Sequence, residues 1–305
     1  IIQTIYKHYK VVSNPEITIE ANPDDINQEK LKEMLRSGIN RLSIGIQSFF
    51  EEDLKLMNRA HNAQESKACL EMATQYFENI SLDLIYGIPG SSNLRWKENI
   101  QTALSYNTPH LSCYALTVES GTALESFIKK GIIEGVDDLQ VQEQFLILID
   151  ELTQHDYIHY ELSNFAKEGF YSKNNSSYWQ GKTYLGIGPS AHSFDGNQRS
   201  WNVKNNSKYI KALTQNQIPT EKEILSTTDQ YNEYIMTGLR TIWGVSFQKV
   251  EQNFGENYLK YLHQQAQKHI IGHLLYIDDG ILRTTRKGKF FSDGIASDLF
   301  KLNLS

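Results

Sequence analysis

The chain has 305 residues, of which 40% are hydrophobic and 22% charged, a composition that is ordinary for a globular protein with a sizeable core. Its formal net charge of −6 and its pI near 5.9 argue against a general nucleic-acid binder, because such domains are normally basic. No run of about 18 apolar residues and no basic-then-apolar leader occurs, so we expect neither a transmembrane segment nor a secretory signal.

The first two thirds of the chain alternate short β-branched runs with longer amphipathic segments. Strands are predicted over residues 16–21, 41–46, 80–86, 111–116 and 157–162. Helices are predicted over residues 27–36, 51–57, 63–77, 94–106, 122–130 and 139–155. Strand–helix alternation with short connections is typical of parallel sheets. The carboxyl ends of the strands should therefore lie along one edge, where active sites of such folds are found.

From about residue 226 the pattern changes. Helices are predicted over residues 231–242, 247–254 and 258–271, followed by a hairpin over 275–283 that turns at Asp279-Gly280 and a last helix near 292–302. This order suggests a small helical, winged-helix-like domain. We therefore predict two domains, residues 1–225 and residues 226–305.

Only two cysteines occur, Cys69 and Cys113, and both stand far apart within apolar segments. This usage does not fit a disulfide framework, and free cysteines pack as small hydrophobic side chains. We interpret both as buried thiols of a protein in a reducing compartment, the cytoplasm.

Four polar side chains stand near the ends of predicted elements. Glu20 ends the first strand, Gln47 follows the second, Asp83 lies inside the third, and Arg59 follows a short helix. Carboxylates can accept hydrogen bonds from an ammonium group or from both hydroxyls of a ribose, and arginine can pair with a carboxylate. The set indicates a zwitterionic, ribose-bearing ligand. The alternative interpretation is that these residues cap helices or form surface ion pairs. It explains Asp83 least well, because this residue lies within an apolar run and an unpaired buried carboxylate is costly.

Eight sequence blocks resemble the HemN/HemW branch of the radical S-adenosylmethionine (SAM) proteins. In chain order they read IEANPDD, INRLSIGIQSF, LMNRAH, ISLDLIYGIPG, LSCYALTVESGT, ELSNFAKEGF, YLGIGPSAHSF and MTGLRTIWGVSF. The resemblance implies an α/β fold, a partial (β/α)6 TIM-like radical-SAM barrel lacking its first two β/α units, followed by a HemN-type C-terminal domain. It also implies SAM and a [4Fe-4S] cluster as cofactors, and it puts Glu20, Gln47, Arg59 and Asp83 on SAM-contacting positions.

Two segments of the family pattern are absent. The family's CxxxCxxC loop holds the cluster through three thiolates, and its GGGTP segment binds the SAM amino group, but neither occurs in this chain. The cluster cysteines therefore lie outside it. Because the chain begins at Ile1, without Met and inside a predicted helix, we interpret it as a fragment.

A haem-associated motif of the HemW-type members, HNxxYW, is present in altered form. Residues 174–179 read NNSSYW, so Asn174 stands at the histidine position, and an amide does not replace imidazole as an axial iron ligand. Asn175, Tyr178 and Trp179 remain and are candidates for a flat apolar haem pocket. His192 is a candidate substitute ligand, although a structural histidine is the simpler interpretation.

The resemblance leaves two functions open. The first is a HemW-like haem chaperone that passes haem to acceptor proteins, and the second is an oxygen-independent coproporphyrinogen III oxidase (dehydrogenase), which converts two propionates to vinyls. The NNSSYW block favours the chaperone, and no arginine set for the substrate carboxylates is recognisable. Either function makes a tetrapyrrole the expected partner, and no catalytic residue is assigned.

Overall fold

The computed structural model describes residues 1–302, which form two compact units, Ile1–Tyr171 and the part of the chain from Ser172 onward. Segment 172–225, which the sequence analysis assigns to the first domain, belongs to the second compact unit. As a statement about independently folding domains, the boundary at 225/226 stays a prediction. Among residues 1–302, no helix combines the length and apolar character needed to cross a bilayer.

The first unit alternates strands and helices, as the sequence predicts. Its elements are α1 (Ile2–His8), β1 (Thr18–Ala21), α2 (Gln28–Arg36), β2 (Arg41–Gln47), α3 (Glu51–Leu56), α4 (Ala63–Ala73), β3 (Ile80–Tyr86), α5 (Asn93–Ser105), β4 (His110–Ala115), α6 (Ala123–Lys129), α7 (Asp138–Gln154), β5 (Ile158–Glu161) and β6 (Asn164–Ala166). Side-chain caps fix several helix starts. Asn27, for example, accepts a hydrogen bond from the Lys30 amide at 2.9 Å.

The six strands form one sheet in the order β1-β2-β3-β4-β6-β5. The first four are parallel, whereas β6 pairs antiparallel with both β4 and β5. The predicted strand over 157–162 therefore does not join β4 directly, because the chain turns back after Glu161 and inserts β6 between them. The α/β class is confirmed, and closure into a barrel stays a prediction.

Strand alternation gives this sheet one apolar and one polar face. The apolar face consists of fully buried side chains that include Leu42, Ile44, Leu82, Leu84 and Leu111. Buried side chains from four helices extend this core: Leu31, Leu70, Trp96 and Leu148. Residues two apart along a strand share a face, and the register then assigns to the polar face Thr18, Glu20, Arg41, Ser43, Ser81, Asp83, His110 and Ser112.

The second unit contains two three-stranded antiparallel sheets and seven helices among the described residues. Its elements are α8 (Lys173–Trp179), β7 (His192–Phe194), β8 (Gln198–Asn202), α9 (Asn206–Thr214), β9 (Thr220–Ile224), α10 (Thr227–Leu239), β10 (Val245–Ser246), α11 (Phe247–Phe254), α12 (Glu256–Ile271), β11 (Leu275–Asp278), β12 (Ile281–Thr284), α13 (Arg286–Lys289) and α14 (Ser292–Leu299). Sheet β7-β8-β9 was not predicted from the sequence.

The C-terminal part of this unit has its own hydrophobic core. Sheet β10-β12-β11 and helices α10, α11, α12 and α14 contribute fully buried side chains that include Tyr231, Ile235, Val250, Leu262 and Leu282. The β11–β12 hairpin turns at Asp279 and Gly280, both with positive φ, as the Asp-Gly pair predicts. The helical, winged-helix-like expectation is consistent with this arrangement.

Candidate functional site

The polar face of the first sheet brings Glu20 close to Asp83. Glu20 is the register partner of Ser43 on the neighbouring strand, and the Ser43 hydroxyl donates to Asp83 Oδ1 at 3.3 Å. Asp83 lies in the middle of β3, opposite the Gly45–Ile46 stretch where the β2–β3 register shifts. Two carboxylates therefore share one region, and they can serve different groups of one polar ligand.

The pKa of the Asp83 carboxyl group is shifted by its surroundings. Burial raises its pKa from 3.8 to about 6, and the charge of Glu20 acts in the same direction. Hydrogen bonds from the Ser112 and Ser43 side chains and the positive charge of Arg41 act in the opposite direction. Desolvation dominates, so Asp83 is a carboxylate that a cationic or hydroxyl-bearing ligand would stabilise in its charged form.

A second group of polar atoms converges on Gly45 at the end of β2. A methyl group on this glycine would stand 2.8 Å from Gln47 Nε2, 3.5 Å from Asn22 Oδ1 and 3.7 Å from Arg59 Nη2. The glycine therefore leaves open a small space that three polar side chains line. Arg59 Nε is buried without a hydrogen-bond partner among the described residues, which is unusual unless a ligand completes the site.

Gln47 is held in a backbone conformation that non-glycine residues rarely adopt, with φ +67°. The next residues are fixed by a buried network. The Ser48 hydroxyl donates to Asp53 Oδ2 at 2.7 Å, and the Phe49 amide donates to Asn99 Oδ1 at 2.7 Å. Asp53 is in turn paired with Arg95 at 3.1 Å. The surrounding structure thus imposes the Gln47 conformation, a pattern common at ligand sites.

Further along the polar face, a buried hydrogen-bond network surrounds His110. Its Nδ1 lies 2.7 Å from the Ser81 hydroxyl and its Nε2 lies 2.8 Å from the Tyr160 hydroxyl. Burial lowers the pKa of His110 well below 6.5, and Arg41 adds to this effect, so the ring is neutral at physiological pH. The network continues from Ser81 to Ser112, and from there to Asn164 and Glu161.

The network around His110 was not predicted from the sequence. Its signal was present, because polar residues recur at every second position of two strands, as in Ser81-Asp83 and His110-Ser112. That period places them on one face together with Glu20. The members of the two groups described above, Glu20 with Asp83 and Gln47 with Arg59, were all among the four residues predicted from the sequence.

An iron–sulfur cluster does not fit the residues described. Cys69 on α4 and Cys113 on β4 are both buried free thiols. Burial raises the pKa of Cys69 to about 12 and that of Cys113 further, whereas a cluster needs exposed thiolates. In the described part of the chain, no group of three or more His, Cys, Asp or Glu side chains is arranged to hold a metal ion.

The second unit contains a cavity of about 470 Å³, here called the aromatic cavity. Seven aromatic side chains line it: Tyr178, Trp179, Tyr184, Phe194, Tyr234, Trp243 and Phe254. The charged side chains at its wall are Arg199, Lys249 and Glu233. Lys249 Nζ lies 4.7 Å from the centre of the Tyr234 ring, and Arg199 pairs with Glu233 at 2.7 Å. Such a cavity suits a flat apolar ligand that carries negative groups.

The NNSSYW block lies on helix α8, and its last two residues line this cavity. Trp179 Nε1 donates to Asn175 Oδ1 at 3.0 Å, and the Arg240 guanidinium lies 5.2 Å from the Trp179 ring centre, so the indole is held from two sides. Tyr178 and Trp179 line the cavity, and Asn175 supports it through Trp179. Asn174 precedes Tyr178 by four residues in α8 and so shares its helix face.

His192 is not among the residues that line the aromatic cavity. It lies at the start of β7, exposed, with its ring centre 6.1 Å from that of Trp201. The interpretation of His192 as a substitute ligand gains no support from this position.

Comparisons with known proteins agree with this architecture. The Radical SAM superfamily pattern matches residues 2–103, and the HemN C-terminal domain pattern matches residues 225–291. The solved structure of coproporphyrinogen III oxidase (HemN) from Escherichia coli superimposes with a TM-score of 0.82 and 21% identity, covering 98% of this chain and 73% of that one. At this identity the match supports the fold.

Sequence relatives decide the family. The heme chaperone HemW of Lactococcus lactis is 34% identical over 278 residues, which cover 90% of this chain and 72% of the relative. The chain belongs to the HemW family. The heme chaperone HemW of Bacillus subtilis is 36% identical over 244 residues, 79% of this chain and 64% of the relative. The chain thus spans just under two thirds of that HemW.

The radical SAM family implies SAM and a [4Fe-4S] cluster. The first unit of this HemW-family chain contains carboxylate, amide and guanidinium groups on or beside one sheet face, and its two cysteines are buried free thiols. The resemblance to the HemN/HemW branch is confirmed by the family patterns and by the HemW relatives.

Proposed function

We propose that this protein is a haem chaperone that takes up haem in the aromatic cavity and delivers it to acceptor proteins in the cytoplasm. The observation that carries the proposal is the position of Tyr178 and Trp179, the retained residues of the haem-associated motif, in the wall of that cavity. The HemW relatives are named heme chaperones. The cavity volume of about 470 Å³ falls within the usual range of about 300–1,000 Å³ for small-ligand sites.

The chemistry of the cavity fits haem on two counts. Haem is a flat aromatic macrocycle with two carboxylates, so it gains from aromatic walls that exclude water and from nearby cations. Arg199 and Lys249 are those cations, and they outnumber the one carboxylate, Glu233. Burial raises the pKa of Glu233, partly offset by Arg199, so its charge is the easier one to neutralise when an anionic ligand enters.

We further propose that SAM binds on the polar face of the first sheet. Glu20 and Asp83 would accept hydrogen bonds from the ribose hydroxyls or the ammonium group, while Arg59 and Gln47 would contact the carboxylate or other polar groups. SAM bound beside a [4Fe-4S] cluster supplies a 5′-deoxyadenosyl radical. The residues described here would hold SAM only, because no group of three or more His, Cys, Asp or Glu side chains among them is arranged to hold a metal ion.

The SAM proposal predicts the effect of closing the space at Gly45. The Gly45→Ala variant should fold normally, since the nearest atom, Gln47 Nε2, is the movable end of a side chain. Its SAM affinity should fall at least tenfold, about 1.4 kcal/mol, measured by calorimetric titration. The matched control is Gly294→Ala in α14, where an added methyl meets no atom within 4 Å. Equal SAM affinity in Gly45→Ala and in the native chain would refute this placement of SAM.

The haem proposal predicts the effect of removing one cavity wall. Trp179→Ala should weaken haemin binding at least tenfold, because about 60–100 Å² of lost aromatic contact corresponds to roughly 1.5–2.5 kcal/mol. Haemin titration followed at the Soret band measures this loss. The control is Trp201→Ala, which removes an indole of the same unit that bonds to Glu221 outside the cavity. A similar loss in both variants would contradict a specific role for the cavity.

The alternative function, coproporphyrinogen III oxidase, predicts a different ligand preference. Its substrate carries four carboxylates, whereas haem carries two, so the stable analogue coproporphyrin III separates the two functions in a competition titration. We expect haemin to displace coproporphyrin III. Preference for coproporphyrin III would favour the dehydrogenase and overturn the chaperone proposal. Transfer of bound haem to an apo-acceptor such as apomyoglobin tests the delivery step.

A further inference from the structure

The aromatic cavity raises the question of which atom would bind the iron of haem, and the inference below rests on the proposed haem function. Protein ligands to haem iron are histidine, cysteine, methionine or tyrosine. The cavity wall contains no histidine, cysteine or methionine among the described residues, but it contains three tyrosines, Tyr178, Tyr184 and Tyr234. Asn174, at the motif's histidine position, supplies an amide and no imidazole.

The three tyrosines differ in the hydrogen bonds of their hydroxyl groups, in exposure and in backbone contacts. The Tyr234 hydroxyl accepts a hydrogen bond from the Ser246 amide at 3.0 Å, so it is engaged in fixing α10 to β10. Tyr178 lies on the short helix α8 and is 44% exposed. Tyr184 is half-buried, and its backbone exchanges two hydrogen bonds of 2.9 Å with Phe194. Of the three, Tyr184 combines a fixed backbone with a hydroxyl that makes no hydrogen bond to the described residues.

The surroundings of Tyr184 also hold its ring in place. Its ring centre lies 4.5 Å from that of Tyr178 in an edge-on arrangement and 6.2 Å from that of Phe194. Such contacts restrict the ring without engaging the hydroxyl. A metal ligand needs this combination of a positioned side chain and an open coordinating atom.

Groups near Tyr184 act on the pKa of its phenol in both directions. Burial raises the pKa of the Tyr184 phenol, the positive charge of Arg199 opposes this rise, and Tyr178 and Glu233 add to it. Arg199 is itself held by its 2.7 Å ion pair with Glu233. A ferric ion bound at the phenol oxygen would add a second positive charge to that of Arg199, and both charges favour the phenolate.

We propose that Tyr184 is the axial ligand of ferric haem in this protein, with Arg199 as its charge partner. An Fe–O bond forms between the phenolate oxygen and the iron, and the phenolic proton passes to the hydroxide that haemin carries, which leaves as water. The iron stays ferric, and no electron is transferred. Tyr184, from a different segment in the wall of the aromatic cavity, would thereby take the role of the motif's histidine, whose position holds Asn174.

The test uses the full chain titrated with haemin. Native protein should give a high-spin ferric spectrum with a phenolate-to-iron charge-transfer band and iron–phenolate modes in resonance Raman. Tyr184→Phe should lose both features and bind haemin at least tenfold more weakly. Tyr276→Phe, an exposed tyrosine on β11 far from any site residue in the sequence, is the unchanged control.

A second measurement separates ligand loss from misfolding. Metal-free protoporphyrin IX needs no axial ligand, so Tyr184→Phe should bind it as tightly as the native chain, followed by quenching of tryptophan fluorescence. Haemin binding with unchanged spectra in Tyr184→Phe, or loss of the band in Tyr178→Phe or Tyr234→Phe instead, overturns the assignment while the haem function stands. Failure of the native chain to bind either haemin or protoporphyrin IX overturns the proposed function itself.

Discussion

Replacing Asp83 with Asn is expected to stabilise the fold at pH 7.5 and to weaken SAM binding at least tenfold. The native carboxylate is charged at this pH although burial disfavours its charge, and its pKa in the folded protein is about 6 against 3.8 for the ordinary group. This shift corresponds to about 2–3 kcal/mol that the folded state loses by carrying the charge. The Asn side chain has the same shape as Asp and can still accept hydrogen bonds from Ser43 and Ser112. It lacks the negative charge that would interact with SAM.

The stability gain expected for Asp83→Asn can be checked by its dependence on pH. The pKa of Asp83 is higher in the folded protein than in the unfolded chain. Below about pH 4 the carboxyl group is protonated in both states and does not reduce the stability of the fold. As the pH rises through about 6, the folded protein must carry the buried charge, and its free energy of unfolding falls. The stability difference between Asp83→Asn and the native chain, from urea unfolding, should thus be near zero at pH 4 and reach its full value above pH 7. The control is Glu134→Gln, which removes one charge from an exposed loop. A destabilised Asp83→Asn at pH 7.5 would disprove the desolvation argument.

Replacing Asn174 with His is expected to raise haemin affinity at least tenfold, about 1.4 kcal/mol. Asn174 is exposed and is not itself a lining residue, but it stands one helical turn before Tyr178, which lines the aromatic cavity. We therefore expect the longer imidazole side chain to reach an iron bound against that wall. Imidazole is a common axial ligand of haem iron, whereas an amide is not. Haem in the variant should also show the Soret shift and lowered spin state of histidine ligation.

A matched control distinguishes a new ligand from a new surface histidine. Asn257→His adds the same group on the exposed side of α12 in the same unit and should leave haemin affinity and spectra unchanged. If both variants gained affinity alike, non-specific binding would account for it. If Asn174→His gained none, position 174 would not face the iron, and the comparison with the HNxxYW motif would lose its functional meaning for this chain.

The sequence predicted elements best where local chemistry set both ends. Strand β3 begins and ends at the predicted residues because Gly87 ends its β-branched run, and α11 does so because Ser246 caps its start and Gly255 ends it. The helix predicted over 63–77 instead ends at Ala73. There the Thr74 hydroxyl bonds back to the Leu70 carbonyl at 2.8 Å, and residues 74–77 turn toward β3.

Other features could not be predicted because they depend on distant partners. Strands β6 to β9 have three to five residues each and carry polar side chains such as His192 and Arg199 without an apolar alternation. The aromatic cavity is lined by residues from α8, β8, α10 and α11, and no local sequence pattern indicates that these elements come together. By contrast, Glu20, Gln47 and Asp83 stood out because polar groups in or beside parallel strands are unusual, and the structure places them on or beside one sheet face.

The burial of both cysteines also determines how the protein can be handled and probed. Cys69 and Cys113 are the two cysteines of the sequence, and both remain protonated thiols at neutral pH because burial raises their pKa. Alkylating reagents and oxidants act on accessible thiolates, so the native fold should resist labelling and cross-linking. In this 305-residue chain, a cysteine introduced at the surface would then be an accessible attachment point for a dye, and haem release could be followed by energy transfer to the macrocycle.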